Sequence, residues 1–244
     1  MDRRAARAVD RVRASAVLFD WRGTLAHSPP RRWWAERGLE AAGRPAIDQQ
    51  VARVEAALHE AGAVDGIDAS AEVHRRETLA ILARHGLDDA LAAALYALDA
   101  DPANHPLYPD AEPVLRDLKA QGVAIAVVSD FHVDLRPMLA AQGVAELCDC
   151  CIVSSEHGVQ KPDVRIFTLA LDALGVPASH ALMVGDRASH DGGAAAAGIT
   201  TLILPPPPAE VVPRGLDVVI GFVEERRAVT AGPAAARGCR RSDP

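Results

Sequence analysis

The chain has 244 residues, 49% hydrophobic and 24% charged, which suffices for one substantial α/β domain with a small insertion but not for two full-size domains. Its net charge of −7 argues against nucleic acid as a partner, because phosphate binding needs a basic face and the dense basic runs here sit at the two chain ends. No apolar run approaches the roughly 20 residues that cross a bilayer, and the Arg-rich start leads into only a short apolar run, so a soluble, cytoplasmic protein is expected.

Residues 1–14 read as an N-terminal arm. Residues 15–20 are short, apolar and β-prone and run straight into Gly23-Thr24, the pattern of a buried strand that ends in a functional loop. Residues 26–105 change character. RRWWAERGLEAAG, AIDQQVARVEAALHEAG, SAEVHRRETLAILARHG and DDALAAALYALDA each carry helical periodicity and stop near Gly, Pro or Asp, which predicts an all-helical insert.

Strict alternation follows. Helices are expected at 110–121, 133–142, 163–174 and 190–197, and apolar strands at 123–130, 148–155, 181–186 and 199–204, with GLDVVIGF at 215–222 as a further strand. Such a pattern predicts a Rossmann-like parallel sheet covered on both faces, its core formed by residues 15–25 and 106–228, with a disordered tail at 229–244. Functional groups then belong at the carboxyl ends of the strands. Cys148, Cys150, Cys151 and Cys239 lack the paired C-x-x-C spacing of a zinc site and are read as buried free thiols in a reducing compartment.

The strand ends carry Asp20, then Ser129 with Asp130, then Ser154 and Ser155 ahead of Lys161, then Asp186 with Asp191. A carboxylate nucleophile, a hydroxyl, an ammonium and a further acidic pair are the parts of a phosphoryl-transfer site, the acids being hard oxygen ligands for Mg²⁺. Lys161 is one of only two lysines among 26 basic residues, which points to a place that needs a compact ammonium rather than a guanidinium.

Four stretches in this order, FDWRGTL, AVVSD, QKPDVRIF and MVGDRASHD, resemble the four motifs of the haloacid dehalogenase-like (HAD) superfamily over roughly residues 15–204. The resemblance implies that Asp20 is the nucleophile, forming a covalent aspartyl intermediate, that Ser129 holds a phosphate oxygen and that Lys161 neutralises Asp20 and the phosphate. It implies Mg²⁺ bound by Asp20, Asp186 and Asp191, with the main-chain carbonyl of Arg22 as a further ligand. The helical insert is then a cap that closes on the substrate. Gly23, Thr24 and Asp130 fall beside the bound substrate, Asp130 with no set family role. Arg31 and Trp34 of RRWW provide either an anion site and apolar wall or simply the two faces of an amphipathic first helix.

Arg22 stands where phosphatases of this superfamily carry a second aspartate, the general acid and base. A guanidinium has no lone pair with which to take a proton, so the substitution removes proton transfer more than metal binding. His27 or His132 could replace the acid, the substrate could carry its own, or the reaction could need none. The reading is a Mg²⁺-dependent phosphatase of a small phosphorylated metabolite with an atypical general acid. The alternatives are a weak or inactive phosphate-binding regulator, in which Arg22 pairs with Asp20 or clamps a ligand, and a 2-haloacid dehalogenase-type hydrolase. A phosphonoacetaldehyde hydrolase is disfavoured, because residues 26–105 contain no lysine for a Schiff base.

Overall fold

Strand β1 (Ala16–Phe19) is apolar and fully buried at every position because it lies in the middle of a sheet covered on both faces. A computed structural model describes residues 14–223 of the chain; the predicted arm before Ala14, the tail and Cys239 lie outside them. The helical insert comes next: α1 (Arg31–Ala41), α2 (Asp48–Ala61), α3 (Ala71–Arg84) and α4 (Asp89–Ala100). Then follow α5 (Ala111–Ala120), β2 (Ala124–Ser129), α6 (Arg136–Ala141), β3 (Cys150–Val153), the single turn α7 (Ser154–His157), α8 (Val164–Leu174), β4 (Ala181–Gly185) and β5 (Thr200–Ile203).

The five strands are parallel, in the order β3-β2-β1-β4-β5. Period-two alternation divides each central strand between two layers. Val17 and Phe19 pack with Leu115 and Leu118 of α5 and Met138 of α6, whereas Ala16 and Leu18 pack with Ile166, Phe167 and Leu171 of α8. Strand order reverses beside β1, so a crevice opens at the carboxyl ends of β1 and β4. Asp20 follows the first of these strands and Asp186 the second.

The insert has a core of its own, in which Ala35, Leu39, Val54, Ile81, Leu91 and Leu95 of the four helices meet. Two of its four helices start where a side chain accepts a free backbone N–H: Ser70 caps α3 and Asp88 caps α4. The chain leaves and re-enters the core side by side, with His27 N–H donating to the Pro106 carbonyl at 2.8 Å and Tyr108 N–H to that of Leu25 at 2.9 Å.

Some expectations are corrected. The 215–222 stretch is a 3₁₀ helix (Leu216–Phe222), not a strand, because its buried residues Leu216 and Val219 recur at a spacing of three while Val218 is exposed. Residues 190–197 likewise form a 3₁₀ helix (Asp191–Ala197). Strand β5 is half exposed rather than buried throughout, as its edge position explains. Cys148, Cys150 and Cys151 are unpaired but only half-buried, since β3 is the opposite edge. Burial still pushes the three thiols up to about 11 or 12, so they stay protonated. Among the described residues no helix is long and apolar enough to cross a membrane.

Candidate active site

Asp20 is 5% exposed, and its backbone N–H donates to the Val184 carbonyl at 2.9 Å, which ties the loop after β1 to β4. The Lys161 ammonium, fully buried, donates to Asp20 Oδ1 at 2.6 Å and to Asp191 Oδ1 at 2.7 Å. Burial disfavours charge on the lysine, but the two carboxylates outweigh it and hold the ammonium above its ordinary value. At Asp20 the balance goes the other way: burial raises the carboxyl more than Lys161 lowers it. Asp130, just after β2, accepts from the Lys161 backbone N–H at 2.9 Å and so sets where the lysine starts. Asp191 Oδ2 accepts from the Arg187 N–H at 2.9 Å.

Asp20, Asp186 and Asp191 each offer an oxygen within 4.8 Å of the others. Asp186 Oδ1 is buried without a partner. Burial first, then Asp20 and Asp191, push its carboxyl up to about 6. Three carboxylates beside a single ammonium leave an excess negative charge that a hard divalent cation would match. Gly23 has φ +80°, and a Cβ there would lie 2.6 Å from Asp186 Oδ2. Gly23→Ala is therefore expected to destabilise the fold by about 1 to 2 kcal/mol from backbone strain alone and to displace Asp186. If Asp20, Asp186 and Asp191 bind a divalent cation, the rise in thermal midpoint on adding Mg²⁺ should shrink in this variant, and an undiminished rise would show that the turn yields without moving Asp186.

Above this cluster a cavity of about 580 Å³ opens between core and insert, with Asp20, Ser129, Asp130 and Asp186 on its core side. Ser129 is 3% exposed. Arg31 and Trp34 both line the cavity, while Trp33 stands edge-on to Trp34 at 4.8 Å. Gly23 and Thr24 do not line it. Thr24 is fully buried, its hydroxyl 3.3 Å from Asp20 Oδ2, so its side chain braces the loop that carries Asp20. Of the two candidate imidazoles, His132 lines the cavity and His27 does not; His27 Nε2 meets the Ala209 carbonyl at 3.1 Å. His157 lies in α7 and is exposed.

Arg22 does not pair with Asp20. Its guanidinium forms an ion pair with Asp99, at the end of α4 in the insert, and lies 4.5 Å from the Phe131 ring centre and 5.6 Å from that of Trp34. At Asp99 burial works to raise the carboxyl, but Arg22 and three imidazoles hold it below its ordinary value. Sequence reasoning passed over Asp99, Asp68, His74, Tyr96 and Arg187. A clue did exist for Asp99: it extends the buried Leu91 and Leu95 stripe of α4 by four residues, and an acid on an apolar stripe needs a partner.

His105, fully buried, joins the same network through Nε2, 2.8 Å from the Asp99 carbonyl. Burial, then Arg22, push its imidazole down to about 4 from an ordinary 6.5. The unfolded chain therefore takes up a proton that the folded protein refuses between pH about 6.5 and 4, so this contribution to stability is complete above the upper value and is lost on acidification. His105→Gln is expected to flatten the fall in thermal midpoint across that window. Parallel pH profiles for the two proteins would contradict this.

Comparison with known proteins agrees with the geometry. The family model for the haloacid dehalogenase-like hydrolase matches residues 14–198. A phosphoserine phosphatase of Thermus thermophilus is 32% identical over 180 residues, covering 72% of this chain and 63% of that protein. An (S)-2-haloacid dehalogenase 4A of Burkholderia cepacia is 33% identical over 111 residues, 45% of each chain. The chain thus spans less than two thirds of the length of these curated relatives. The crystal structure of a HAD phosphatase from Thermococcus onnurineus superposes with a TM-score of 0.59 at 24% identity, covering 85% of this chain and 98% of that one, which is a likeness of fold. Sheet order, strand-end chemistry and the matched model together show that the chain belongs to the haloacid dehalogenase-like hydrolase family.

Proposed function

We propose that the protein is a Mg²⁺-dependent phosphatase that works through an aspartyl-phosphate on Asp20. The observation that carries this reading is the buried Lys161 bridging Asp20 and Asp191 beside the unpartnered Asp186 oxygen. Asp20 attacks phosphorus, the bond from phosphorus to the ester oxygen breaks, and the leaving group departs with the electron pair; water then cleaves the acyl phosphate and regenerates Asp20. Lys161 opposes the rise that burial imposes on the Asp20 carboxyl and offsets negative charge beside it, and Ser129, which lines the cavity, would hold a phosphate oxygen. Asp20, Asp186 and Asp191 would hold the Mg²⁺ ion, which supplies charge to offset the phosphate when bound. The half-buried, unpaired cysteines fit a reducing compartment, and we place the protein in the cytoplasm.

The departing oxygen receives no proton from Arg22, which is committed to Asp99 and the aromatic rings. Aryl and acyl phosphates, whose leaving groups need little protonation, should be turned over far better than alkyl phosphates, since general-acid help is worth about 10²- to 10⁴-fold. The test is Mg²⁺-dependent hydrolysis of p-nitrophenyl phosphate and an alkyl phosphate by wild type and Arg22→Asp. We expect wild type to cleave the aryl ester in a chelator-sensitive way and Arg22→Asp to narrow the gap between the two esters. Absence of any wild-type turnover, with activity appearing only in Arg22→Asp, would favour a phosphate-binding regulator instead.

A further inference from the structure

We propose that Asp68, beside the stacked imidazoles of His74 and His132, binds a primary ammonium on the leaving group, so that the substrate is an amine-bearing phosphate ester. The proposal rests on the phosphatase reading for the word substrate, but the amine site stands on its own observations. The first is the charge balance of the cavity wall. Arg22 is paired with Asp99, Arg187 lies 3.5 Å from Asp130, and Lys161 serves Asp20 and Asp191, while Arg31, exposed on the same wall, forms no ion pair with Asp68. Asp68 lines the same cavity, and among the described residues it forms no ion pair with a lysine or arginine. Its nearest basic group is His74 Nε2 at 3.9 Å, an imidazole that burial pushes down to about 4 and that is therefore neutral at working pH. Burial raises the Asp68 carboxyl above its ordinary value by more than the more distant His132, Arg22 and Arg187 lower it.

The backbone that carries this carboxylate is also held in place. Asp68 N–H donates to Gln160 Oε1 at 2.9 Å, and the Asp68 carbonyl accepts from Ser154 Oγ at 2.6 Å. Both partners belong to the core, so Asp68 sits at the seam between insert and core, one residue's contact away from Lys161. The second observation is His132, which is 7% exposed and whose Nε2 lacks a hydrogen-bond partner; Asp99 Oδ2 at 3.5 Å lies outside hydrogen-bonding geometry. Tyr96 Oη, bonded to His74 Nδ1 at 2.9 Å, completes the polar wall.

Asp68, His74 and His132 do offer ligand atoms within 4.8 Å of one another, but a metal ion is the poorer occupant. The two rings are parallel within 2° at 3.7 Å, so their in-plane lone pairs run side by side instead of converging on one point. An ammonium asks only for acceptors around its three N–H groups.

The experiment compares kcat/KM for 4-(aminomethyl)phenyl phosphate and 4-methylphenyl phosphate in wild type and Asp68→Asn. Any intrinsic difference between the two esters is common to both proteins, so the ratio of ratios isolates the contact and is independent of how much variant is folded. We expect Asp68→Asn to reduce the preference for the amine roughly tenfold or more, the scale of one charged hydrogen bond. Calorimetric titration of Asp20→Asn with 4-(aminomethyl)phenol and 4-methylphenol gives a readout that needs no turnover, repeated with Asp68→Asn added. Preferential binding of the amine that depends on Asp68, without hydrolysis of either ester, would uphold the amine site while the phosphatase reading falls. Equal preference in wild type and Asp68→Asn, with no selective binding of the amine, would overturn the proposal.

Discussion

Asp20→Asn is expected to lower turnover of p-nitrophenyl phosphate roughly 10⁴-fold or more, the scale seen when a covalent nucleophile is removed. The carboxamide keeps the shape of the side chain and can still accept from Lys161, which donates to Asp20 Oδ1 at 2.6 Å, but its oxygen is too weak a nucleophile to attack phosphorus. Lys161 retains Asp191 as a charged partner at 2.7 Å, so the fold should survive. The check has two parts: steady-state rates in saturating Mg²⁺, and a phosphoryl adduct on the Asp20 peptide after brief reaction with an acyl phosphate. Wild type should show the adduct and the variant should not. A variant within about tenfold of wild type would mean that some other group performs the displacement.

Lys161→Met should cost about 3 to 5 kcal/mol of stability, because removing one member of a buried ion pair leaves its partners uncompensated. Here two carboxylates, Asp20 at 5% and Asp191 at 0% exposure, would face each other with no ammonium between them. Methionine fills much of the vacated volume, so the loss reflects charge more than packing. The denaturant midpoint should fall sharply, and adding Asp20→Asn to Lys161→Met should restore part of it, since one of the stranded charges is then gone. Activity should fall with the single substitution as well. An unchanged midpoint would show that water or a counterion already neutralises this cluster, and that Lys161 is not what offsets the buried carboxylates.

Much of the architecture is local in origin and was therefore legible in the amino-acid sequence. Continuous apolar runs such as VLF and VAIAVV can be buried on both faces only within a covered parallel sheet, and the carboxyl ends of such strands meet along one edge. That reasoning alone brought Asp20, Ser129, Lys161, Asp186 and Asp191 to one place, although as many as 171 positions separate the first from the last. The helical insert was readable for the same reason, from apolar periodicity and from segments that stop near Gly, Pro or Asp.

The tertiary structure decided what depends on partners distant in the chain. Arg22 reads in isolation as a lost acid; its meaning changed once folding set Asp99, 77 residues later, against its guanidinium. Gly23 and Thr24 read as ligand contacts but lie behind Asp20 and against Asp186, because the left-handed turn at Gly23 directs the loop there. GLDVVIGF has the composition of a strand, yet packing selected a spacing of three over a spacing of two. The pairing of Asp68 with neutral imidazoles has no local signature either. Periodicity reports which face of an element is buried, whereas charge compensation is settled only when faces from different elements close over the same cavity.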